Sequence, residues 1–495
     1  MQYVIVGAYV LLMVFVAVYS AKRAKTLNDF YLGGRNIGGW MSAFSFGTAY
    51  FSAVMFVGYA GRLGEAYGIS VVWIGIGNAL LGSYLAWKIL AKPTRVMTQR
   101  LKVSTMPAFF EARYLSKNMK IFAAVIIFIF LVPYCASVYQ GLSYVFEMAF
   151  HLPYQYCMIG MAVVSLAYLI AGGYKASSIT DFIQGIIMLI GVVTMIFFII
   201  NAPQVGGLAE GLARLGRIDA SKASLFGSGS NAVSLIASII TTSVGTWGLP
   251  QMVHKFYAIK DEKAIKKGTL ISTAFALVVA GGTYFIGAFG TLFTGGQVPI
   301  DSATGAANAD LIMPTVIQEA LPEALLGLIV VLILAASMST LCSLVLVSSS
   351  AISMDLVKGT LRKDMSDKAT LVWMRVLCGV FVVVSLLIAL DKTNAILTLM
   401  SFSWGAISGS FLAPFMLGVR WKRMTRAGAW AGMITGIGVV VVMAIVMGLD
   451  TSKATLIAAI AIVASLIVTP IVSLLTQKKG YSKEHVDAVF GLAEK

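Results

Sequence analysis

Apolar residues in this chain come in long blocks, not in alternation and not on one helical face. Phe122 to Val132 is apolar throughout, and Ile186 to Ile200 is nearly so. A helix crossing ~30 Å of hydrocarbon needs about 20 such residues, and blocks of that size recur from end to end. They predict thirteen spans, at roughly 2–20, 40–61, 70–93, 119–149, 153–172, 180–201, 231–254, 267–296, 321–355, 371–390, 394–419, 426–448 and 454–475. The blocks are too long for barrel strands, which take about 10 residues of alternating pattern. The fold class expected is an all-α polytopic membrane protein.

Two spans are interrupted. Span 2 carries Ser45, Gly47, Thr48, Ser52 and Gly58; span 7 carries Thr241, Thr242, Ser243, Gly245, Gly248 and Pro250. Spans 2–6 and 7–11 are each five spans long, so the second set enters the membrane from the opposite side. Interrupted helices at matching places of two inverted halves point to a binding site near the midplane. Taken singly, each interruption also suits close helix packing. The expected organisation is a leading helix and loop (1–39), a first repeat (40–201), a second repeat (202–419), and two peripheral helices with a tail (420–495).

Charge fixes an orientation. Of 495 residues, 59% are hydrophobic and only 12% charged, about half the share in a soluble domain. A net charge of +16 raises the question of nucleic acid, but the basic residues sit in short loops between apolar spans. With the N-terminus outside, every Lys and Arg falls inside except Arg62, Arg214, Arg217, Lys222, Lys392 and Lys453, six of 37. That asymmetry is the positive-inside pattern. It predicts a multi-pass membrane protein, N-terminus outside and C-terminus cytoplasmic. The first span has no basic leader and no small-residue cleavage site, so it reads as uncleaved. Cys135, Cys157, Cys342 and Cys378 all lie in apolar spans and read as small buried hydrophobes.

Few residues inside the spans carry chemistry. Lys88 and Arg375 lie near inner ends and can snorkel, and no Lys or Arg is expected at pocket depth. Glu147 sits near an outer end. Asp181 lies deeper, at the inner start of span 6, where it suits either a helix N-terminus or a cation site. Span 9 reads Ala335-Ala336-Ser337-Met338-Ser339-Thr340-Leu341-Cys342-Ser343. Ser339 and Ser343 are one turn apart and Thr340 is adjacent, so the stretch presents neutral hydroxyl oxygens. Neutral oxygens do not titrate near pH 7 and favour sodium over a proton; the same hydroxyls also suit a hydrogen-bonded helix contact. His151, His254 and His485 are far apart, and no nucleotide loop, nucleophile elbow or C-x-x-C motif is present. An enzyme is not expected, and any pumping must draw on an ion gradient.

These stretches carry a resemblance. Asp29-Phe30-Tyr31-Leu32-Gly33-Gly34-Arg35, the run from Gly172-Gly173 to Thr180-Asp181 and Gln184, and Ala335 to Thr340 resemble signatures of the sodium/solute symporter family, across about residues 3 to 445. Tyr134-Cys135-Ala136-Ser137 and Trp421-Lys422-Arg423-Met424-Thr425 look most like the bacterial sodium/proline porters. The resemblance implies the five-plus-five inverted repeat of the leucine-transporter fold, with sodium as coupling ion, in a bacterial cytoplasmic membrane. It implies a main sodium site from the carbonyls of Thr48, Phe51 and Ala336 with the hydroxyls of Ser339 and Thr340. A second site, known in some members, maps to Asp181, Ser339, Cys342 and Ser343, with Cys342 in place of an oxygen ligand.

The solute pocket is expected from Tyr50, Ser52, Met55, Trp73, Tyr134 and Trp247. Tyr50 and Val54 depart from the proline porters, which carry Asp and Trp there; Tyr is closer to pantothenate-type members. The expected function is sodium-coupled symport of a small organic solute into the cell by alternating access. Candidate solutes are an amino acid such as proline, or a small carboxylate or vitamin. The partners expected are the solute, sodium and the bilayer, with no nucleic acid and a functional monomer. The alternatives are a proton-coupled carrier of the same fold, with Asp181 as titrating group, and a channel.

Overall fold

The computed structural model describes residues 2–21, 26–226, 230–301, 305–390, 395–447 and 451–491. Lys22, Arg23, Lys25, Lys392 and Lys495, which entered the charge count, lie outside them. Among the described residues the chain is helical throughout, without a β-strand. Helices are the expected outcome, because a backbone in hydrocarbon must satisfy its polar groups within its own segment.

In chain order the main helices are α1 (Gln2–Ala21), α2 (Gly39–Tyr50), α3 (53–67), α4 (72–100), α5 (Lys117–Phe150), α6 (Tyr154–Ala167) and α7 (Ser177–Asn201). There follow α8 (Asn231–Gly248), α9 (Pro250–Tyr257), α10 (Glu262–Phe293), α11 (Glu323–Leu361), α12 (Asp367–Ala389), α13 (Ile396–Arg420), α14 (Arg426–Val446) and α15 (Ala454–Leu475). Nine helices among the described residues are long and apolar enough to cross a membrane, or ten if the α8–α9 pair, bent by 45°, is one span. Predicted span 2 is split between α2 and α3, and spans 1 and 5 match shorter apolar helices, Gln2–Val16 and Tyr154–Ala167.

Helix ends follow local chemistry. The Ser116 hydroxyl accepts from the Met119 amide at the start of α5, Asp261 accepts from Ala264 before α10, and Thr425 from Gly428 before α14. Each satisfies an amide that a helix N-terminus leaves open. Between α6 and α7 the backbone breaks sharply at Gly173, with φ 58° and ψ −158°. A Cβ there would also lie 2.6 Å from the Phe30 ring, so glycine is required by conformation and by space.

Burial separates a core from a rim. The apolar windows of α11 and α13 are 83% and 89% buried, while those of α12 and α14 are 28% and 33% buried. The rim helices expose apolar side chains such as Val376, Val383 and Leu387 on α12 and Val193 and Phe197 on α7, as expected where the solvent is lipid. Helix α11 packs on α5 and α7, α13 on α5, and α14 and α15 on α13. Helix α1 lies on α7 and α11, where the Gln184 amide donates to the Tyr9 hydroxyl at 2.9 Å.

Candidate functional site

Both interrupted spans are broken. Helix α2 ends at Tyr50, and Phe51 is extended (φ −109°, ψ 105°) before the chain turns back into helix. In the second, Leu249 is extended (φ −78°, ψ 121°) and Pro250 opens α9. Proline at a first helical position gives up an amide that would have no partner anyway. The polar, small-residue content read from the sequence therefore marks real breaks. Each leaves carbonyls of one half-helix and amides of the next without intrahelical partners.

The first break faces the serine-rich stretch of α11. The Thr340 hydroxyl lies 3.1 Å from the Ala336 carbonyl, 3.2 Å from that of Thr48 and 3.4 Å from that of Ala49. One hydroxyl proton can serve only one of the three oxygens at a time. The Ser339 hydroxyl, one residue away and 1% exposed, has no hydrogen-bond partner among the described residues. A fully buried spot thus holds more oxygen acceptors than donors, close to the negative end of α2. Phe51, the remaining residue of the expected set, is buried at the break. Neutral oxygens in surplus suit a cation without titrating.

The second expected set comes together differently. Asp181, Cys342 and Ser343 are all buried close to the Lys255 ammonium. That ammonium donates to Ser45 Oγ at 2.9 Å and to Ser343 Oγ at 3.0 Å, lies 3.6 Å from Asp181 Oδ2, and sits 5.0 Å from the centre of the Tyr174 ring. The Ser45 and Ser177 hydroxyls also donate to Asp181 Oδ2. This corrects the expectation that no Lys or Arg lies deep. Lys255 leads a lysine-rich stretch (Lys260, Lys263, Lys266, Lys267) that reads as a loop. The break at Leu249 instead carries α9 through Tyr257, and Lys255 is buried on it. Its place after a proline-started helix and before Phe256-Tyr257 was the signal available.

Of the six expected pocket residues, five gather near the breaks. The Tyr50 hydroxyl lies 2.5 Å from the Thr242 carbonyl and 3.2 Å from Asn78 Oδ1. Ser52 caps the helix after the break, its Oγ accepting from the Val54 amide at 3.2 Å, and Met55 is buried in the next turn. Tyr134 faces Ser52 and stands edge-on to Trp404 at 5.7 Å between ring centres. Trp247, at the second break, donates its indole N–H to the Leu81 carbonyl at 3.0 Å. Trp73 is the exception and a correction. It is 38% exposed, donates to the Leu225 carbonyl at 2.8 Å and stacks on Phe226. Its place at the start of α4 puts it against Leu225 and Phe226, away from the breaks.

Two residues join that sequence reasoning passed over. Asn78 Oδ1 accepts from the Thr242 hydroxyl at 3.0 Å and the Ser243 hydroxyl at 2.9 Å, tying α4 to α8. Both helices widen to i→i+5 turns there, over Asn78–Leu85 and Ile240–Val244, a local feature frequent at functional sites. Gly82 makes room, since a Cβ would stand 2.1 Å from the Tyr50 hydroxyl. Trp404 is 1% exposed, and its indole nitrogen has no partner among the described residues. An amide alone in an apolar span was the cue for Asn78; Trp404 gave none beyond its small-residue neighbours.

Toward the predicted outer face, Asp310 closes the end of α3 against α13. It lies 3.6 Å from the Arg62 guanidinium and accepts from the Ile396 amide at 3.1 Å. Burial pushes its carboxyl above the usual range, with the Arg62 guanidinium acting the other way. The four cysteines are buried and free, and the described residues contain no His/Cys/Asp/Glu group that could hold a metal ion.

Known proteins match this arrangement. The sodium:solute symporter family matches residues 30–436. The osmoregulated proline transporter of Bacillus subtilis (strain 168) is 30% identical, over 99% of this chain and 97% of its own length. The sodium/proline symporter of Escherichia coli (strain K12) is 31% identical, over 88% and 86%. Among solved structures, a substrate-bound, outward-open Na+-coupled sialic acid symporter superposes with a TM-score of 0.78 at 19% identity, covering 96% of this chain and 97% of that one. The fold is all-α and polytopic, of the leucine-transporter type, and the chain is a transporter and not an enzyme. This chain belongs to the sodium:solute symporter family and couples solute transport to sodium.

Proposed function

We propose that this protein imports L-proline together with sodium across a bacterial cytoplasmic membrane. One observation carries the sodium half: the surplus of buried neutral oxygens where the Thr340 hydroxyl meets the Ala336, Thr48 and Ala49 carbonyls at the break in the first core helix. Sodium is held there by Thr48, Phe51, Ala336, Ser339 and Thr340, at the carbonyl end of α2. The amide end of α3, across the same break, is the positive pole and takes the solute carboxylate. Tyr134 and Trp404 supply apolar ring faces for a compact five-membered ring, and Ser52, Tyr50 and Met55 line the remainder. The near-full-length likeness to proline transporters supports the substrate.

Sodium bound at the break draws α2 and α11 together and completes the solute site, so coupling is differential binding to two states. At ~100 mV each sodium entering supplies about 2.3 kcal/mol. That alone holds a gradient of roughly fiftyfold for a zwitterion carried one to one. We further take the chain to be a thirteen-span monomer with its N-terminus outside.

The test is uptake of radiolabelled L-proline into proteoliposomes under an inward sodium gradient, with potassium or choline replacing sodium as controls. Uptake that needs sodium and is competed by unlabelled proline supports the reading. Sodium-independent uptake driven by a pH gradient would sink it. One observation favours a second substrate class, pantothenate-type carboxylates: Tyr50 stands where the proline porters carry an acid, with its hydroxyl committed to Asn78 and Thr242. Competition by pantothenate and not by proline would select that class.

A further inference from the structure

The oxygen cluster around Asp181 already holds a cation. Lys255 reaches it from α9, donating to Ser45 and Ser343 at 2.9 and 3.0 Å and pairing with the Asp181 carboxylate at 3.6 Å. An ammonium has three donors and no acceptor; two are spent on the serine hydroxyls, and the Asp181 carboxylate stands as its counter-charge. Both charged side chains are sealed, at 1% and 0% exposure. The cage is also placed by helical periodicity. Ser45 precedes Thr48 by three residues on α2, and Ser343 follows Thr340 by three on α11. The ammonium therefore sits about one turn from the proposed sodium site, roughly 5 Å along both helices, toward the side that the loop charges assign to the cytoplasm.

The residues present do not fit a second sodium there. Its place between Ser343 and Asp181 is taken, and the sulfur of the neighbouring Cys342 is a soft donor, ill-suited to a hard ion. We infer that Lys255 is a tethered cation that permanently fills the second cation position, so this transporter carries one sodium per solute. The inference rests on the sodium site proposed at Thr340 and concerns the number of ions, not the identity of the solute. It also accounts for a buried ion pair that is otherwise costly to keep. The half-helix α9 is joined through it to α2, α7 and α11, the same elements that a mobile ion would bridge.

Equilibrium binding of radiolabelled sodium to the purified, full-length protein tests this, alongside the solute accumulation reached at a clamped potential. The wild type is expected to bind one ion per chain and to accumulate solute as a one-to-one symporter. Cys342→Ser alone should still bind one. Lys255→Ala combined with Cys342→Ser vacates the cage, keeps Asp181 and restores a hard donor; it should bind two ions, with sodium activation turning cooperative. Two ions in the wild type or in Cys342→Ser, or one in the double variant, would overturn the lysine assignment and leave the Thr340 site standing. No ion in the wild type would overturn both.

Discussion

Two levels of the same helix pair, one turn apart, have opposite electrostatics. At the level of Thr48 and Thr340 there are carbonyls and hydroxyls only, with more acceptors than donors. At the level of Ser45 and Ser343 there are a carboxylate and an ammonium among hydroxyls, the ammonium donating to both serines and paired with the carboxylate. The scaffold is shared, so the difference comes from single residues reaching in, Asp181 from α7 and Lys255 from α9. Neutral oxygens in surplus make a place for a visiting ion; a matched pair of fixed charges makes a joint.

The comparison is broken hardest at the charged level. Asp181→Asn leaves the Lys255 ammonium buried without its counter-charge, which typically costs about 3–5 kcal/mol. Thermal unfolding of the purified variant should fall by many degrees, with or without sodium. Glu147→Gln, at an outer helix end, should stay within about 0.5 kcal/mol of wild type. Equal losses in the two variants would mean that Asp181 is an ordinary helix-terminal acid.

At the neutral level the effect should fall on sodium and spare the fold. Thr340→Ala removes the hydroxyl shared among three carbonyls and is expected to raise half-saturating sodium roughly tenfold to a hundredfold, the span found when supporting ligands of a metal site are lost. Ser339→Ala should raise it less. Unfolding in sodium-free buffer should change by under about 1.5 kcal/mol, the worth of one ordinary hydrogen bond. If both variants keep wild-type sodium dependence, the ion binds elsewhere.

The neutral level was legible in the sequence and the charged one only half so. Small and hydroxyl residues interrupting span 2, opposite a span carrying Ser339, Thr340 and Ser343, announce a break facing oxygens, because lipid tolerates such residues only where protein meets protein. Asp181 stood out as a deep acid for the same reason. Lys255 did not, since a lysine followed by four more within twelve residues has the composition of a loop. Only the second break, which sets where α9 starts, decides that it is buried. Trp73 failed in the other direction. An aromatic near a span end fits a pocket or an interface equally well from its spacing, and its partners, the Leu225 carbonyl and the Phe226 ring, lie about 150 residues away in sequence.

Away from both levels, Asn78 sharpens the distinction between ion and solute. Its side-chain oxygen gathers the hydroxyls of Tyr50, Thr242 and Ser243. Asn78→Ala strands the Ser243 hydroxyl in a buried place, at about 1–3 kcal/mol for an unsatisfied group, and leaves Tyr50 held by the Thr242 carbonyl alone. Because Tyr50 faces the proposed solute pocket, the variant should raise half-saturating solute while leaving half-saturating sodium within twofold. A parallel rise in both would mean that Asn78 serves the coupling break itself.

The smallest expected effects separate two tryptophans: Trp73, which the sequence suggested for the pocket, and Trp404, which it did not. Trp404 is sealed between Tyr134 and Tyr50, with ring centres 5.7 and 6.5 Å away. Trp404→Phe keeps an apolar ring but shrinks the wall of the proposed pocket, so half-saturating solute should rise several-fold, as an aromatic contact worth about 0.5–1.5 kcal/mol implies. Trp73→Phe, on the exposed loop contact, loses one hydrogen bond to the Leu225 carbonyl and should leave transport within twofold. Solute titrations of the two variants, run side by side, decide it. If Trp73→Phe is the more damaging, the segment at Leu225 and Phe226 takes part in solute entry and the pocket extends further toward the outer face than the breaks alone define.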